Sequence, residues 1–323
     1  MNKPIRFAII GCGAVTEVKS GPAYQKTDGI ELVGVTRRDL NKARDYAQRH
    51  HVPKVFATPS ELINDAQVDA VYIATPPDSH KTFALEVAAA GKPCCIEKPL
   101  APSYEDSLAI VEAFKEAKQP LFVAYYRRSL PRFNKVKSLI ESGAIGKVRH
   151  VSWHLSKPAS ALDLSREYNW RTDKQIARGG YFDDLASHGL DLLAYLLGDF
   201  EKVHGFCANQ QGLYSAFDAI TAHWHHKSGI TGSGSWNFAC ANRFDDVIIY
   251  GSEGEICFSV FDEKPIELNN TQGIRQLSIE NPTHIQQFHV ENMAQFFDLG
   301  APHPSIGVTA LHTSWVMEQI LMS

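Results

Sequence analysis

No stretch of this 323-residue chain approaches the roughly 18 uninterrupted apolar residues that a membrane-spanning helix needs, so no span and no membrane partner are expected. The N-terminal run in "MNKPIRFAIIGCGAV" is broken by Gly11 and Gly13 and lacks a small-x-small cleavage site. It reads as a first strand feeding a turn rather than a signal peptide, and the expected compartment is the cytoplasm. The six cysteines (Cys12, Cys94, Cys95, Cys207, Cys240 and Cys257) form no C-x-x-C pair and no metal-type spacing, which points to reduced, buried thiols. His223, His225 and His226 in "HWHH" read as a strand entering a hairpin turn with no further ligand, so no metal is expected. A formal charge of −4 without a basic block leaves no footprint for nucleic acid. Internal repeats and low-complexity tracts are also absent.

What is present has the length and composition of a two-domain globular protein. Up to about Tyr125, apolar strand patterns ("RFAIIGCG", "ELVGVTRR", "DAVYIATPP", "PCCIEKP", "PLFVAYY") alternate with helical ones ("NKARDYAQRHH", "HKTFALEVAAAG", "SYEDSLAIVEAFKEAK"). A polar, helix-length piece from Thr16 to Thr27 separates the first two strands. Strands apolar along their whole length belong in a parallel sheet covered on both faces, so residues 1–125 are expected to form a doubly wound α/β domain. Residues 126–323 change pattern. Short alternating strands with Gly, Ser and Asp turns predict an α+β domain built on a mostly antiparallel sheet, entered through a polar connection at 157–177. One helix is predicted over "YFDDLASHGLDLLAYLLG" and two more near the C-terminus.

Gly11-Cys12-Gly13-Ala14-Val15-Thr16 carries the first two glycines of G-x-G-x-x-G between a strand and a helix, with Thr16 in place of the third. Glycines there allow a tight turn and let backbone N–H groups of the Gly13–Val15 stretch approach a pyrophosphate. About 20 residues on, where a carboxylate would read a ribose 2′-OH, stand Thr36-Arg37-Arg38, which favour a 2′-phosphate. NADP is therefore expected, with NAD as the alternative should Asp39 bind the ribose.

"CCIEKPLA" puts Lys98 at the carboxyl end of a parallel strand, where ligands of such sheets bind, with Pro99 fixing the backbone after it; Thr75-Pro76-Pro77 lies at another such end. Asp184, His188 and Asp191 are spaced i, i+4, i+7, which on an α-helix sets them on one face. A carboxylate one turn before an imidazole can orient it and stabilise its charged form, so Lys98, Asp184 and His188 make a proton-transfer set for an alcohol/ketone couple.

Taken together, "IIGCGAV", "DAVYIATPPDSH", "GKPCCIEKPLA", "NWRTD" and "GGYFDDLASHGLD" resemble, in that order, the glucose-fructose oxidoreductase / inositol dehydrogenase / rhizopine catabolism (Gfo/Idh/MocA) family, over essentially the whole chain. The resemblance implies a Rossmann domain, then a domain whose large sheet often forms the oligomer interface, here of a homodimer or homotetramer. It implies that Lys98, Asp184 and His188 are catalytic. It also implies that Thr75, Pro76, His80, Glu97 and Lys98 wall the nicotinamide side, and that Arg171 lies near cofactor or substrate. Ala186 stands where many relatives have glycine.

The expected reaction passes a hydride between nicotinamide and a secondary hydroxyl or ketone of a sugar, polyol or related small molecule. His188 would take the hydroxyl proton, Lys98 would hydrogen-bond the same oxygen, and Asp184 would fix the histidine or bind a neighbouring hydroxyl. Tyr125, Arg127, Arg128, Trp153, Trp170 and Tyr181 are candidates to line the substrate. The alternative is a catalytically silent dinucleotide-binding sensor of the same fold.

Overall fold

The computed structural model of the chain describes residues 3–322. Two compact units make up the chain: Met1–Ser129 with Pro282–Leu311, and Leu130–Asn281 with His312–Ser323.

In the first unit six strands, β1 (Ile5–Ile10), β2 (Ile30–Thr36), β3 (Lys54–Val55), β4 (Ala70–Ile73), β5 (Cys94–Ile96) and β6 (Leu121–Val123), form one sheet in the order 3-2-1-4-5-6. Every pair is parallel. This is the strand order of the Rossmann fold, with its crevice where the order reverses between β1 and β4. The alternation along each strand explains both faces. Ala8, Ile10, Val71, Ile73, Cys94, Ile96 and Val123 point to one core, shared with Leu62, Ala84 and Ile110 of the crossover helices. Phe7, Ile9, Ala70, Tyr72, Cys95 and Phe122 point to the other, closed by Tyr24, Tyr46, Val290 and Met293. Each large apolar side chain so buried contributes roughly 1.5–3 kcal/mol.

The second unit holds eight strands: β7 (Val148–Ser156), β8 (Phe200–Ala208), β9 (Ala219–His226), β10 (Thr231–Asn237), β11 (Phe244–Gly251), β12 (Gly254–Phe258), β13 (Ile266–Asn270) and β14 (Gly273–Leu277), in the order 14-13-12-11-7-10-9-8. Only β7 and β10 run parallel. One face is packed, with Trp153 edge-on to Trp236 and Trp236 edge-on to Phe182. The other carries polar side chains together with exposed Phe206, Phe244 and Ile274. Among the described residues no helix is long and apolar enough to cross a membrane.

Three expectations need correction, and one strand carries no expectation at all. The first unit runs to Ser129 rather than Tyr125, and 282–311 returns to it because the helix Gln287–Leu299 completes one of its cores with Val290 and Met293. The piece from Thr16 to Thr27 belongs to two short helices, Ala14–Val18 and Gly21–Lys26. Two-residue β3 has too little sequence to show a period. Finally, "YFDDLASHGLDLLAYLLG" is not one α-helix: Phe182–Ala186 forms a π-helical turn and the α-helix runs Ser187–Leu197. A π turn holds more residues than an α turn, so α-helical spacing does not carry across it. Asp191 is fully buried and accepts from the Thr313 hydroxyl at 3.0 Å, as a structural group rather than a third member of an acid–base face.

Candidate functional site

Parallel register brings the expected cofactor residues of the first unit to one sheet edge. Ile10 pairs with Thr36 and Ile73, and Ile73 with Ile96, so Gly11, Arg37, Thr75 and Lys98 all follow strand ends that lie side by side. Gly11 has φ +94°, and a Cβ on it would stand 2.7 Å from Thr75 Cγ2 and 2.9 Å from the Thr75 amide nitrogen. Only glycine fits this crossing of the two strand ends. Gly13 caps the Ala14–Val18 helix, and a Cβ there would meet nothing nearer than Gly11 O at 3.8 Å. Its open side, beside exposed Ala14 and half-buried Val15, suits a dinucleotide pyrophosphate, so these residues fit the cofactor the motif implies. Thr16 in the third-glycine position is fully buried. Its hydroxyl donates to Gly13 O at 2.8 Å, and Tyr46 donates to Thr16 O at 3.0 Å, so the threonine fastens the turn.

Arg37 lies over the same turn, its Nη1 donating to Cys12 O at 3.1 Å, while Arg38 is exposed. Asp39 is engaged elsewhere: its Oδ1 accepts from the amides of Asn41 and Lys42 as the N-cap of Leu40–Arg49. Thr75 is half-buried and Pro76 exposed.

Two members of the expected nicotinamide wall sit one layer below that edge. His80 is fully buried, with Nδ1 at 3.1 Å from both Pro99 O and Leu100 O and Nε2 at 2.9 Å from Thr75 O. Burial pulls its pKa below the ordinary histidine range. It bridges the turn after β4 to the turn after β5. Glu97 turns its carboxylate inward, where Oε1 accepts from Tyr72 at 2.6 Å and from Gln286 at 2.8 Å, and Oε2 accepts from the Lys98 amide at 3.3 Å. Both residues fix the backbone that presents Lys98. Lys98 itself is half-buried at the edge, before a cis peptide to Pro99.

In the second unit the π turn and the helix after it carry Asp184 and His188. Asp184 Oδ2 accepts from Arg171 Nε at 3.1 Å, and the Arg171 guanidinium lies 4.4 Å from the Trp170 ring centroid. Asn169 caps the Arg171 amide at 3.2 Å. His188 is 5% exposed and meets Phe261 edge-on, ring centroids 6.1 Å apart. Gly189 lets this helix close on the sheet: a Cβ there would be 2.2 Å from the Trp153 ring. Trp153 donates to Asp245 Oδ1 at 3.1 Å, and Asp245 Oδ2 accepts from the Phe261 amide at 2.6 Å. Fully buried Asp245, which its sequence context does not distinguish from an ordinary strand aspartate, thereby ties together the tryptophan under the helix and the phenylalanine beside His188.

Burial sets three of the expected substrate-lining aromatics, Trp153, Tyr125 and Tyr181, in the interior. Trp153 and Tyr125 are each 1% exposed and belong to cores. Tyr181 is buried with its hydroxyl donating to Asp163 at 2.7 Å, an anchor for the 157–177 connection. Arg127 is 5% exposed with its guanidinium 5.0 Å from the Tyr126 ring centroid. The three histidines of "HWHH" diverge. His223 faces His204, His225 pairs with Glu201, and His226 is buried between Gly198 O and the Trp224 indole. Among the described residues no group of three or more His, Cys, Asp or Glu could hold a metal.

Residues 5–125 match the oxidoreductase family model with an NAD-binding Rossmann fold (GFO_IDH_MocA), and residues 133–257 match the GFO/IDH/MocA C-terminal domain. The chain is 37% identical over 299 residues to Oxidoreductase P35 of Formosa agariphila, spanning 92% of each chain. It is 28% identical to the myo-inositol 2-dehydrogenase of Thermotoga maritima, covering 84% of this chain and 80% of that one. The solved structure of levoglucosan dehydrogenase in complex with NADH and levoglucosan superimposes with a TM-score of 0.87 at 22% identity, covering 99% of this chain and 97% of that one.

Proposed function

Because the chain belongs to the Gfo/Idh/MocA oxidoreductase family, we propose that it transfers a hydride between a nicotinamide cofactor, preferentially NADP, and a secondary hydroxyl or ketone of a sugar, polyol or related small molecule. The observation that carries this reading is the strand-end register of the first unit, which lines up the Gly11–Gly13 turn, Thr75 and Lys98 along one sheet edge. Bound NAD(P) supplies the hydride acceptor or donor. In the oxidation direction, His188 takes the hydroxyl proton, Lys98 donates a hydrogen bond to the same oxygen, and Asp184, held by Arg171, orients the imidazole. Relatives named for inositol and levoglucosan support a polyhydroxylated substrate. The exposed Phe206, Phe244 and Ile274 on one face of the second sheet support a homo-oligomer.

NADP rests on Arg37 and Asp39. The guanidinium is anchored at the glycine turn, and one oxygen of the carboxylate that would read a bare ribose is engaged as a helix cap. A fluorescence titration should show NADPH binding roughly 10–100-fold tighter than NADH, the scale of one or two charge-assisted hydrogen bonds. Arg37→Asp should reverse the order, and equal affinities in the wild type would remove the NADP assignment. A sugar and polyol panel read at the nicotinamide absorbance then tests the chemistry. Cofactor binding without turnover on any member would shift the reading to the sensor.

A further inference from the structure

Asp183 and Asp184 are consecutive acids in the π-helical turn Phe182–Ala186, with opposite surroundings. Asp184 has the Arg171 guanidinium on Oδ2. Asp183 accepts one hydrogen bond, from the Gly179 amide to Oδ2 at 2.9 Å, and its Oδ1 is buried with no hydrogen-bond partner among the described residues. A carboxylate with one oxygen out of water and bare is costly, and a second negative charge on the adjacent residue adds to that cost. Gly179 packs closely here, where a Cβ would stand 2.6 Å from Asp183 Oδ1, and that oxygen is itself buried.

We propose that Asp183 is a positioning residue held as a neutral carboxylic acid, which keeps the π-helical turn closed and so sets Asp184 and His188 in their working orientation. The proposal rests on the reading of Asp184 and His188 as the proton-transfer pair. The groups facing Asp183 are Asp184 on its own turn, Arg178 on the preceding loop, the Gly179 amide and the Cys207 thiol on β8. Arg178 and Gly179 favour the anion, but burial outweighs them and pushes the carboxyl up to about 7. The Cys207 thiol is itself pushed up to about 11, chiefly by burial, and adds no charge near neutrality. Above neutral pH Asp183 ionises, the buried anion is stabilised only if water reaches it, and water reaches it only if the turn opens.

Infrared spectroscopy of the full-length protein tests the protonation without turnover. At about pH 6 ordinary carboxyls are ionised. A protonated-carboxyl C=O band should therefore stand out, vanish with a midpoint near pH 7, and be missing in Asp183→Asn. Turnover tests the positioning. The wild type should lose activity above neutrality, and Asp183→Asn, which cannot ionise, should cut that alkaline fall at least roughly fivefold. The titration on wild type needs no variant, so a poorly folding Asp183→Asn does not spare the idea. No protonated band at about pH 6, or an alkaline limb identical in both proteins, overturns it. A band in a protein that turns over no substrate would uphold the protonation and overturn the catalytic reading beneath the positioning role.

Discussion

Replacing His188 with alanine is expected to lower kcat by roughly 10²–10⁴-fold, the usual worth of general acid–base assistance, with NAD(P)H affinity held within about twofold of wild type. The dinucleotide-fitting turn, Arg37 and the Thr75 and Lys98 strand ends are residues of the first unit, and His188, on the helix Ser187–Leu197, is none of them. The residue before it in the proposed relay, Asp184, keeps its Arg171 partner when the imidazole is gone. Lastly, the packing lost includes an edge contact with Phe261, which is itself held by the Asp245 carboxylate through its amide. His188→Gln keeps more of that volume and should be as inactive, separating proton transfer from packing. Turnover within about threefold of wild type in His188→Ala would end the assignment of His188 as the proton carrier.

Much of this arrangement could be read from the sequence because its signals are local. A parallel strand buried on both faces must be apolar throughout, so "RFAII", "AVYI" and "CCI" stand out and their ends locate the glycine turn, Thr75 and Lys98. What was not legible depends on contacts distant in sequence. Nothing in "QFHVENMAQFFDL" says that this helix closes a core of the first unit rather than the second; its amphipathic pattern fits either. Gln286, which anchors Glu97 beneath the strand end, comes from the same returning segment, 189 residues away.

The aromatic candidates meet a related limit. The polar atoms of Trp153 and Tyr181 serve buried carboxylates, Asp245 and Asp163, which lie far away in sequence. A tryptophan at strand spacing is described equally well by a pocket wall and by a core, and only the glycine facing it, Gly189, decides between them. The pair Asp183-Asp184 shows the same limit. Two identical letters side by side differ in surroundings because one meets a guanidinium and the other a buried site with one oxygen unpartnered among the described residues.

Acid should destabilise both units through histidines that are buried neutral. His226, in the second unit, donates from Nδ1 to Gly198 O at 2.8 Å and accepts the Trp224 indole N–H on Nε2 at 3.1 Å. His303, in the first, donates from Nε2 to His289 O at 3.1 Å and accepts the Ser305 amide on Nδ1 at 3.1 Å. A second proton on the His226 ring would set its Nε2–H against the Trp224 indole N–H, and burial has already pulled both histidines down to about 4. A group whose folded pKa is depressed contributes its full stability above its unfolded value, near 6.5 for histidine, and loses it as pH falls toward the folded value. The loss therefore falls between about pH 6.5 and 4, reaching ~2 kcal/mol per histidine at pH 5 and ~3 kcal/mol below pH 4. Buried His289 of the first unit, also pulled down by burial, adds to the same sign. Against a typical total of about 5–15 kcal/mol this is a large share. Urea unfolding at about pH 7.5 and 5 should show the midpoint dropping sharply at the lower pH. His226→Gln should start less stable at the higher pH, because the amide replaces both hydrogen bonds imperfectly, but should lose less on acidification. Equal wild-type midpoints at the two pH values, or an unaltered pH dependence in His226→Gln, would show that these rings accept their protons without strain on the fold.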